Sequence, residues 1–240
     1  MSEERAGTSP WVWVGCGCAV LVGLVMAAVV ALGWWGYKQG KEIEAGFKDP
    51  VKRAERTREV LPYDELPAGY HPLGAISIPF FMDMVMFSDR EPRPEMGKGQ
   101  GREFDQRGFF FIKVRQFGKG DEDLEKFLKG EGEEPPGLEG TKLDFESRET
   151  VATGTVEAGG GKLRYQARRG SLRAEQGSAE GIANFFLVEC PKDDGRLRFG
   201  IWFGPEANPA VPAAEADFTG TPADPQALRE FAGHFRLCAD

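Results

Sequence analysis

The chain has 240 residues, 41% of them hydrophobic, which is enough to build one domain with a sizeable core. Its 38 acidic side chains outnumber the 30 basic ones, and the resulting net charge of −8 argues against a nucleic acid as partner. With 32 glycines and 16 prolines, the composition favours a turn-rich domain that contains much β-strand.

An uncharged run dominates the N-terminal part of the chain, after a polar tail over residues 1–10. No charged residue occurs from Ala6 through Tyr37, and a helix needs only about 20 apolar residues to cross a bilayer. Aromatic side chains, which prefer the headgroup region, stand near both ends of the run: Trp11, Trp13, Trp34, Trp35 and Tyr37. The sequence therefore predicts a transmembrane helix over residues 11–37, with the lipid bilayer as its partner.

Small residues recur every four positions along one face of this predicted helix: Gly15, Ala19, Gly23, Ala27 and Ala31. Small side chains let a second helix approach closely, so the stripe predicts a helix–helix contact with a second copy or another membrane protein. The alternative is the ordinary small-residue content of membrane helices.

The following segment, residues 38–62, is predicted to be a juxtamembrane helical linker. Asp49 is a favourable N-cap and Pro50 suits the first helical position, so a helix is expected from Pro50 to about Val60. Beyond the linker, residues 63–240 are expected to form one soluble domain.

Alternating and β-branched segments predict that this domain is built mainly of strands. The predicted strands are residues 75–87 (two strands, or one bent at Pro79), 108–116, 142–150, 151–156, 162–169, 183–190 and 196–203. Helices are predicted over residues 121–129 and from Asp224 and Pro225 onward. The fold class is therefore α+β: an N-terminal transmembrane helix, then a curved, mostly antiparallel sheet with a few flanking helices.

This order of elements resembles the PsbP-like fold of bacterial membrane-anchored and secreted proteins. The resemblance spans residues 63–237 and rests on the turn at 66–70, the helix at 121–129, the hairpin at 185–203 and the closing helix at 224–235. It implies a binding or assembly module rather than an enzyme, and it carries over no active-site residues. The long Gly/Pro loop before Phe109 departs from the compact family pattern.

Two cysteines fall in the soluble part, Cys190 after an apolar strand and Cys238 near the C-terminal end. Cysteines of an exported domain often pair, so a disulfide between them is one interpretation. Two unrelated buried thiols are the other.

Arginine is concentrated on two of the predicted hairpins: Arg164, Arg168, Arg196 and Arg198. If the hairpins are neighbours, these four side chains could share the outer face of the sheet and bind an anionic ligand or an acidic partner. The alternative is that they pair with the domain's own carboxylates.

Catalytic and metal-binding patterns are missing from the sequence. The histidines are His71 and His234, and neither has a companion at the spacing that zinc sites use. We therefore expect no metal and no cofactor, and a non-catalytic binding or assembly module. The alternatives are a hydrolase-like enzyme with a dispersed active site and a dimerising structural subunit of a membrane complex.

Two sets of sequence signals favour opposite sides of the membrane for the domain. Arg5 is the one basic residue before the apolar run, whereas five follow it closely, and the positive-inside rule would then place the domain in the cytoplasm. The cysteine pair, the N-terminal anchor and the resemblance favour export. We expect a single-pass protein of the bacterial cell membrane whose domain is exported to the periplasmic side.

Overall fold

The computed structural model describes residues 49–79, 81–92, 105–115, 126–128, 144–174, 177–192, 195–206 and 208–239. The predicted transmembrane helix over residues 11–37, with its small-residue stripe, lies outside these residues, as does the first part of the predicted linker. Within the described residues, no helix is long and apolar enough to cross a membrane.

The described residues form a seven-stranded antiparallel sheet. Its strands are β1 (His71–Ile78), β2 (Met82–Ser88), β3 (Gly108–Arg115), β4 (Asp144–Ala158), β5 (Gly161–Ala174), β6 (Gly177–Glu189) and β7 (Arg196–Gly204). The strand order is β1-β2-β3-β7-β6-β5-β4, so two meanders meet where β3 pairs with β7. This architecture confirms the α+β class with a mostly antiparallel sheet.

Local details of the strands follow from the sequence. Pro79 lies in a turn between β1 and β2, so the segment expected as one bent strand or two forms two. The segments expected as separate strands at 142–150 and 151–156 form the single strand β4, whose pairing with β5 shifts register twice, between Ser147 and Glu149 and between Thr150 and Ala152. Such bulges let one long strand follow a twisted neighbour.

Helix α1 (Pro50–Val60) begins where the sequence predicts. The Asp49 carboxylate accepts hydrogen bonds from the backbone N–H groups of Val51 and Lys52, at 3.0 and 3.4 Å. The helix contacts β1 and β2, and Thr57 and Leu61 are fully buried. The described domain therefore includes a helix that the sequence analysis assigned to the linker.

One face of the sheet, which we call the helix face, packs against α1 and helix α2 (Pro225–Gly233). The Asp224 carboxylate caps α2 by accepting from the Gln226 N–H at 2.8 Å, as the sequence predicts. Trp202 of β7 lies flat on Phe231 of α2, with ring centroids 4.3 Å apart. Aromatic stacking thus fastens the last helix to the middle of the sheet.

The opposite face carries its own apolar cluster. Alternate residues of the central strands, among them Phe110, Phe185 and Phe199, belong to it. Residues 126–128, the described part of the helix expected at 121–129, are helical, and Phe127 meets Phe185 edge to face at 5.1 Å. Because both faces are apolar, the central strands read as continuous hydrophobic runs rather than alternating ones.

The C-terminal tail is fastened to the end of the sheet. A disulfide joins Cys190 to Cys238, the pairing that the sequence left open, with the two Cα atoms 5.6 Å apart. The Leu237 N–H donates to the Gly159 carbonyl at 2.9 Å, and a Cβ on Gly161 would come within 2.7 Å of Cys238 Sγ. A glycine is therefore needed at position 161 for the tail to pack here.

Titration of Tyr70 offers a test of the helix-face core. The Trp202 indole N–H donates to the Tyr70 hydroxyl oxygen at 2.8 Å, and burial raises the pKa of Tyr70 to about 12, from 10.0. The folded protein thus keeps this phenol neutral while the unfolded chain ionises it, so stability should fall as the pH rises from about 10 to about 12.

Tyr70→Phe should destabilise the full chain by about 1–3 kcal/mol below pH 10, because it leaves a buried indole N–H without its acceptor. The difference from the wild type should shrink between pH 10 and 12. Guanidinium unfolding of the detergent-solubilised protein at a series of pH values measures both effects. A difference in stability between the variant and the wild type that does not change with pH would contradict the raised pKa of Tyr70.

Candidate functional site

The turn between β1 and β2 projects large apolar side chains into solvent. Ile78 is 44% exposed and Phe81 50%, and the Phe81 N–H donates to the Ile78 carbonyl at 3.0 Å. Among the described residues, Val51 is the other strongly exposed large hydrophobic side chain. Exposed apolar groups that lie together in this way are typical of interaction sites.

Beside this turn, the register of four strands lines up a row of polar residues on the helix face. Ser77 lies opposite Asp83, Asp83 opposite Lys113, and Lys113 opposite Arg198. The preceding row across the same strands is Ala75, Val85, Phe111 and Gly200, so the apolar core ends where this polar row begins.

The members of the row are held by short-range contacts. The Ser77 hydroxyl donates to the Asp83 carboxylate. Lys113, only 3% exposed, donates from Nζ to the backbone carbonyl of Ala239 at 2.9 Å. An ammonium is rarely buried to this extent unless its hydrogen bonds are satisfied, so the C-terminal tail helps to hold it in place.

A cavity of about 290 Å³ opens between the apolar turn and the polar row, and we call it the tip cavity. Its described lining residues are Ser77, Ile78, Pro79, Phe81, Met82, Asp83, Lys113 and Arg196. Apolar side chains form one wall, and two cations with one carboxylate form the other. This mixture can hold an amphipathic group whose polar end is anionic.

The structure separates the four arginines that the sequence analysis grouped. Arg164 lies opposite Leu187, and Leu187 lies opposite Phe199, so Arg164 and Arg168 occupy the face away from the helices. Leu197 and Phe199 of β7 belong to the opposite face, so the alternate residues Arg196 and Arg198 point to the helix face. The expected common face is therefore wrong, because Arg164 lies level with Phe199 across β6, and side chains alternate along a strand.

The surroundings of these arginines also differ. Arg164 pairs with Glu189 at 2.5 Å, and the guanidinium of Arg168 lies 5.5 Å from the Phe127 ring centroid. Arg198 is buried in the polar row, and Arg196 lines the tip cavity. Of the predicted set, Arg196 is thus the member that borders a ligand-sized space.

A second group of buried charges lies at the other end of the helix face. Arg169 binds the Glu206 carboxylate through two nitrogens and reaches Glu149 at 2.8 Å and the Val211 carbonyl at 2.9 Å. The hydrogen bond with Glu206 raises the pKa of Arg169, so its charge is permanent. These contacts tie the segment after β7 onto β5, and we assign the group a structural role.

A larger concavity, of about 640 Å³, lies beside the disulfide at the turn between β4 and β5. Two of its charged lining residues pair with each other: Lys162 Nζ lies 3.9 Å from Glu189, and Glu189 also pairs with Arg164. Its described lining contains no strongly exposed large apolar side chain. It therefore offers less to a ligand than the tip cavity does.

In the part of the chain that the structure describes, no three His, Cys, Asp or Glu residues are placed to hold a metal ion. The exposed His234 ring lies with Nδ1 3.1 Å from the Glu65 carbonyl oxygen, and His71 starts β1.

Sequence reasoning missed the tip cavity, although two signals pointed to it. The sequence Ile-Pro-Phe-Phe at 78–81 places apolar side chains around a proline turn, where polar residues are usual. Lys113 follows Phe109 and Phe111 at period two and so interrupts an apolar stripe. Both signals are local, but their proximity depends on non-local strand pairing.

No protein-family model matches this chain, and comparisons with curated proteins and with solved structures give no match either. The resemblance to the PsbP-like fold therefore stays a prediction.

The structural role of Arg169 can be tested by its effect on stability. Arg169→Met should lower the free energy of unfolding by about 3–5 kcal/mol, because it leaves the buried Glu206 carboxylate without its partner. Guanidinium unfolding of the full chain in detergent measures this. Arg148→Met is the matched control, since Arg148 pairs with Glu180 at a half-exposed site and should cost no more than about 1 kcal/mol. Equal losses in the two variants would rule out the assignment.

Proposed function

We propose that this chain is a single-pass, membrane-anchored binding or assembly module that recognises its partner through the tip cavity. The observation that carries the proposal is the pairing of an exposed apolar turn, Ile78 to Phe81, with a cavity bordered by Lys113 and Arg196. Sites of this kind, with an apolar wall and a few placed polar groups, are typical of ligand recognition.

The position of α1 supports this use of the tip cavity. Burial lowers the pKa of Arg53 in α1, while the charges of Glu91 and Asp49 oppose the shift. Strand β2 ends at Ser88, and Glu91 follows three residues later. The tip cavity lies at the other end of β2, where Met82 and Asp83 line it. Helix α1 therefore begins near the end of β2 that is away from the cavity.

The anchor itself rests on the uncharged run at residues 11–37. We infer that the domain lies on the exported, periplasmic side of a bacterial membrane, because disulfides such as Cys190–Cys238 persist in oxidising compartments. The basic residues after the run favour the opposite orientation, but long domains translocate largely regardless of nearby charge.

Site-specific photocrosslinking in native cells tests the binding role. The full chain with p-benzoylphenylalanine in place of Phe81 should give one discrete adduct, which disappears when Arg196→Glu is added. The matched control carries the same photoreactive residue at Val51, which is 64% exposed on α1 and is not among the described lining residues of the cavity. Identical adducts from both positions, or none from position 81, would contradict the proposal.

Thiol labelling tests the orientation. In a full chain with Cys16→Ser and Cys18→Ser, a bulky impermeant thiol reagent is applied to cells opened only at the outer membrane. Cys190 and Cys238 should be labelled after reduction and not before it, because the bonded sulfurs are unreactive. Labelling that needs cell lysis but no reductant would place the domain in the cytoplasm.

A further inference from the structure

We infer that the outer edge of β4 is an interface through which two copies of the chain join their sheets. The contact runs along residues 152–158, as an antiparallel pair of β4 strands related by a two-fold axis at Thr155. This inference goes beyond the proposed function, because β4 and β1 are the opposite edges of the sheet, and the turn after β1 borders the tip cavity.

The edge of β4 is open along this segment. Among the described strands, β4 pairs with β5 and has no neighbour on its other side. Thr153, Gly154 and Thr155 are exposed in succession. Gly154 has no side chain, so its exposure is that of the backbone itself. The polar backbone groups of this edge are therefore accessible to another strand.

The other edge strand of the sheet is protected. Leu73, Gly74 and Ala75 of β1 are buried, and α1 packs against this strand. Pro72 lacks a backbone donor, and the pairing of β1 with β2 shifts register next to it. Features of this kind keep an edge from pairing with another molecule. Residues 152–158 contain no proline and no lysine, and both register shifts of β4 come before them.

The turn between β4 and β5 determines which backbone groups point outward. Gly159 and Gly160, with φ of 60° and 84°, form a two-residue turn of the type that a hydrogen-bonded residue pair closes. That pair is Ala158 with Gly161. Hydrogen-bonded and non-hydrogen-bonded pairs alternate along an antiparallel ladder, so the N–H and C=O groups of every second residue from 153 to 157 point away from β5.

A second copy satisfies these outward groups by symmetry. With the axis at Thr155, this residue pairs with its own counterpart, and Thr153 pairs with Glu157 of the other copy. The outward groups then form about six hydrogen bonds. Thr155 is also the midpoint of the regular segment, which ends at the turn on one side and at the register shift on the other. The symmetric pairing therefore uses the whole segment.

Charge does not oppose this pairing, although the chain as a whole carries −8. Glu157 is the one charged residue of the segment. It lies opposite Lys162 within its own sheet, and the two-fold register places it opposite Thr153 of the other copy. Like charges directly opposite each other destabilise neighbouring strands, and the two-fold register avoids them.

The proposed anchor favours a second copy as the occupant of this edge. Helices at residues 11–37 would confine the copies to one membrane, which raises their effective concentration. The two-fold axis of an antiparallel strand pair is perpendicular to the sheet, so both copies turn α1 to the same side of the joined sheet. This arrangement suits two chains that are anchored in one membrane. A pairing of seven residues alone buries less surface than a stable soluble dimer needs.

Crosslinking tests the register. The full chain with Cys16→Ser and Cys18→Ser, whose other two cysteines form the disulfide, is reconstituted in vesicles and treated with dibromobimane, a short reagent that bridges two thiols. Thr155→Cys should give at least tenfold more covalent dimer than Thr153→Cys, because the two copies of position 153 are offset by four residues, or about 13 Å. Vesicles that contain a mixture of Thr153→Cys and Glu157→Cys chains should again give the dimer.

A charge at the axis tests whether this edge holds the dimer together. Thr155→Lys brings two ammonium groups together, so it should raise the dissociation constant of the dimer at least tenfold in sedimentation equilibrium in density-matched detergent. Val51→Lys adds the same charge at an exposed position of α1 and should leave the dimer unchanged. Both variants should unfold at the same guanidinium concentration as the wild type, since both positions are exposed.

Three results would overturn the inference: a chain that stays monomeric and gives no crosslink from position 155, a dimer that Thr155→Lys does not weaken, or equal crosslinking from positions 153 and 155. An adduct between position 155 and a different protein would assign the edge to another partner and overturn the second copy. The photocrosslink from position 81 reports on the tip cavity, so the proposed function stands or falls separately.

Discussion

The pairing of β3 with β7 is the contact that joins the two halves of the sheet. Each of the two meanders, β1-β2-β3 and β4-β5-β6-β7, is built from hairpins between neighbours in the chain, and β3 and β7 join them across a wide sequence separation. Their eight residue pairs place Lys113 beside Arg198 and Phe111 beside Gly200. A slip of one residue would send Lys113 into the cluster of Phe110 and Phe185, so the apolar pattern on both faces protects the register.

The same register explains what the sequence could and could not predict. Helices α1 and α2 and their caps were predictable, because Asp49-Pro50 and Asp224-Pro225 fix a helix start within a few residues. The hairpin of β6 and β7 was predictable because a polar turn with Pro191 and Gly195 separates two apolar runs. The face of the sheet on which each arginine lies was not predictable. Alternation along β5 does not tell which of its residues share a face with a given residue of β7, because the two strands are connected only through β6.

Arg169 illustrates the limit most clearly. It continues the period-two series of Leu163, Tyr165 and Ala167, a pattern that predicts a buried position, yet the residue is charged. Its burial is tolerated because Glu206, 37 residues later, supplies a matching carboxylate. The tip cavity was hidden in the same way, since Ser77, Asp83 and Lys113 meet only through strand pairing.

Buried charged side chains occur at both ends of the helix face. At one end, Arg169 is enclosed by carboxylates and a carbonyl, and the group is complete without any other molecule. At the other end, Lys113 and Arg196 line the tip cavity, and Lys113 is held by the Ala239 carbonyl. Both groups use buried charge to fix a segment that follows the last strand of the sheet.

The disulfide has a consequence for the order in which the protein matures. The tail residue Ala239, whose carbonyl receives the Lys113 ammonium, is the immediate neighbour of Cys238. A newly made chain with reduced cysteines has Leu237 held by the Gly159 carbonyl, but it lacks the covalent link that restrains the residues beyond it. Oxidation of the two thiols therefore adds a covalent restraint next to the residue whose carbonyl accepts from the buried ammonium, so reduction should loosen the tail around Lys113 as well as around the two sulfurs.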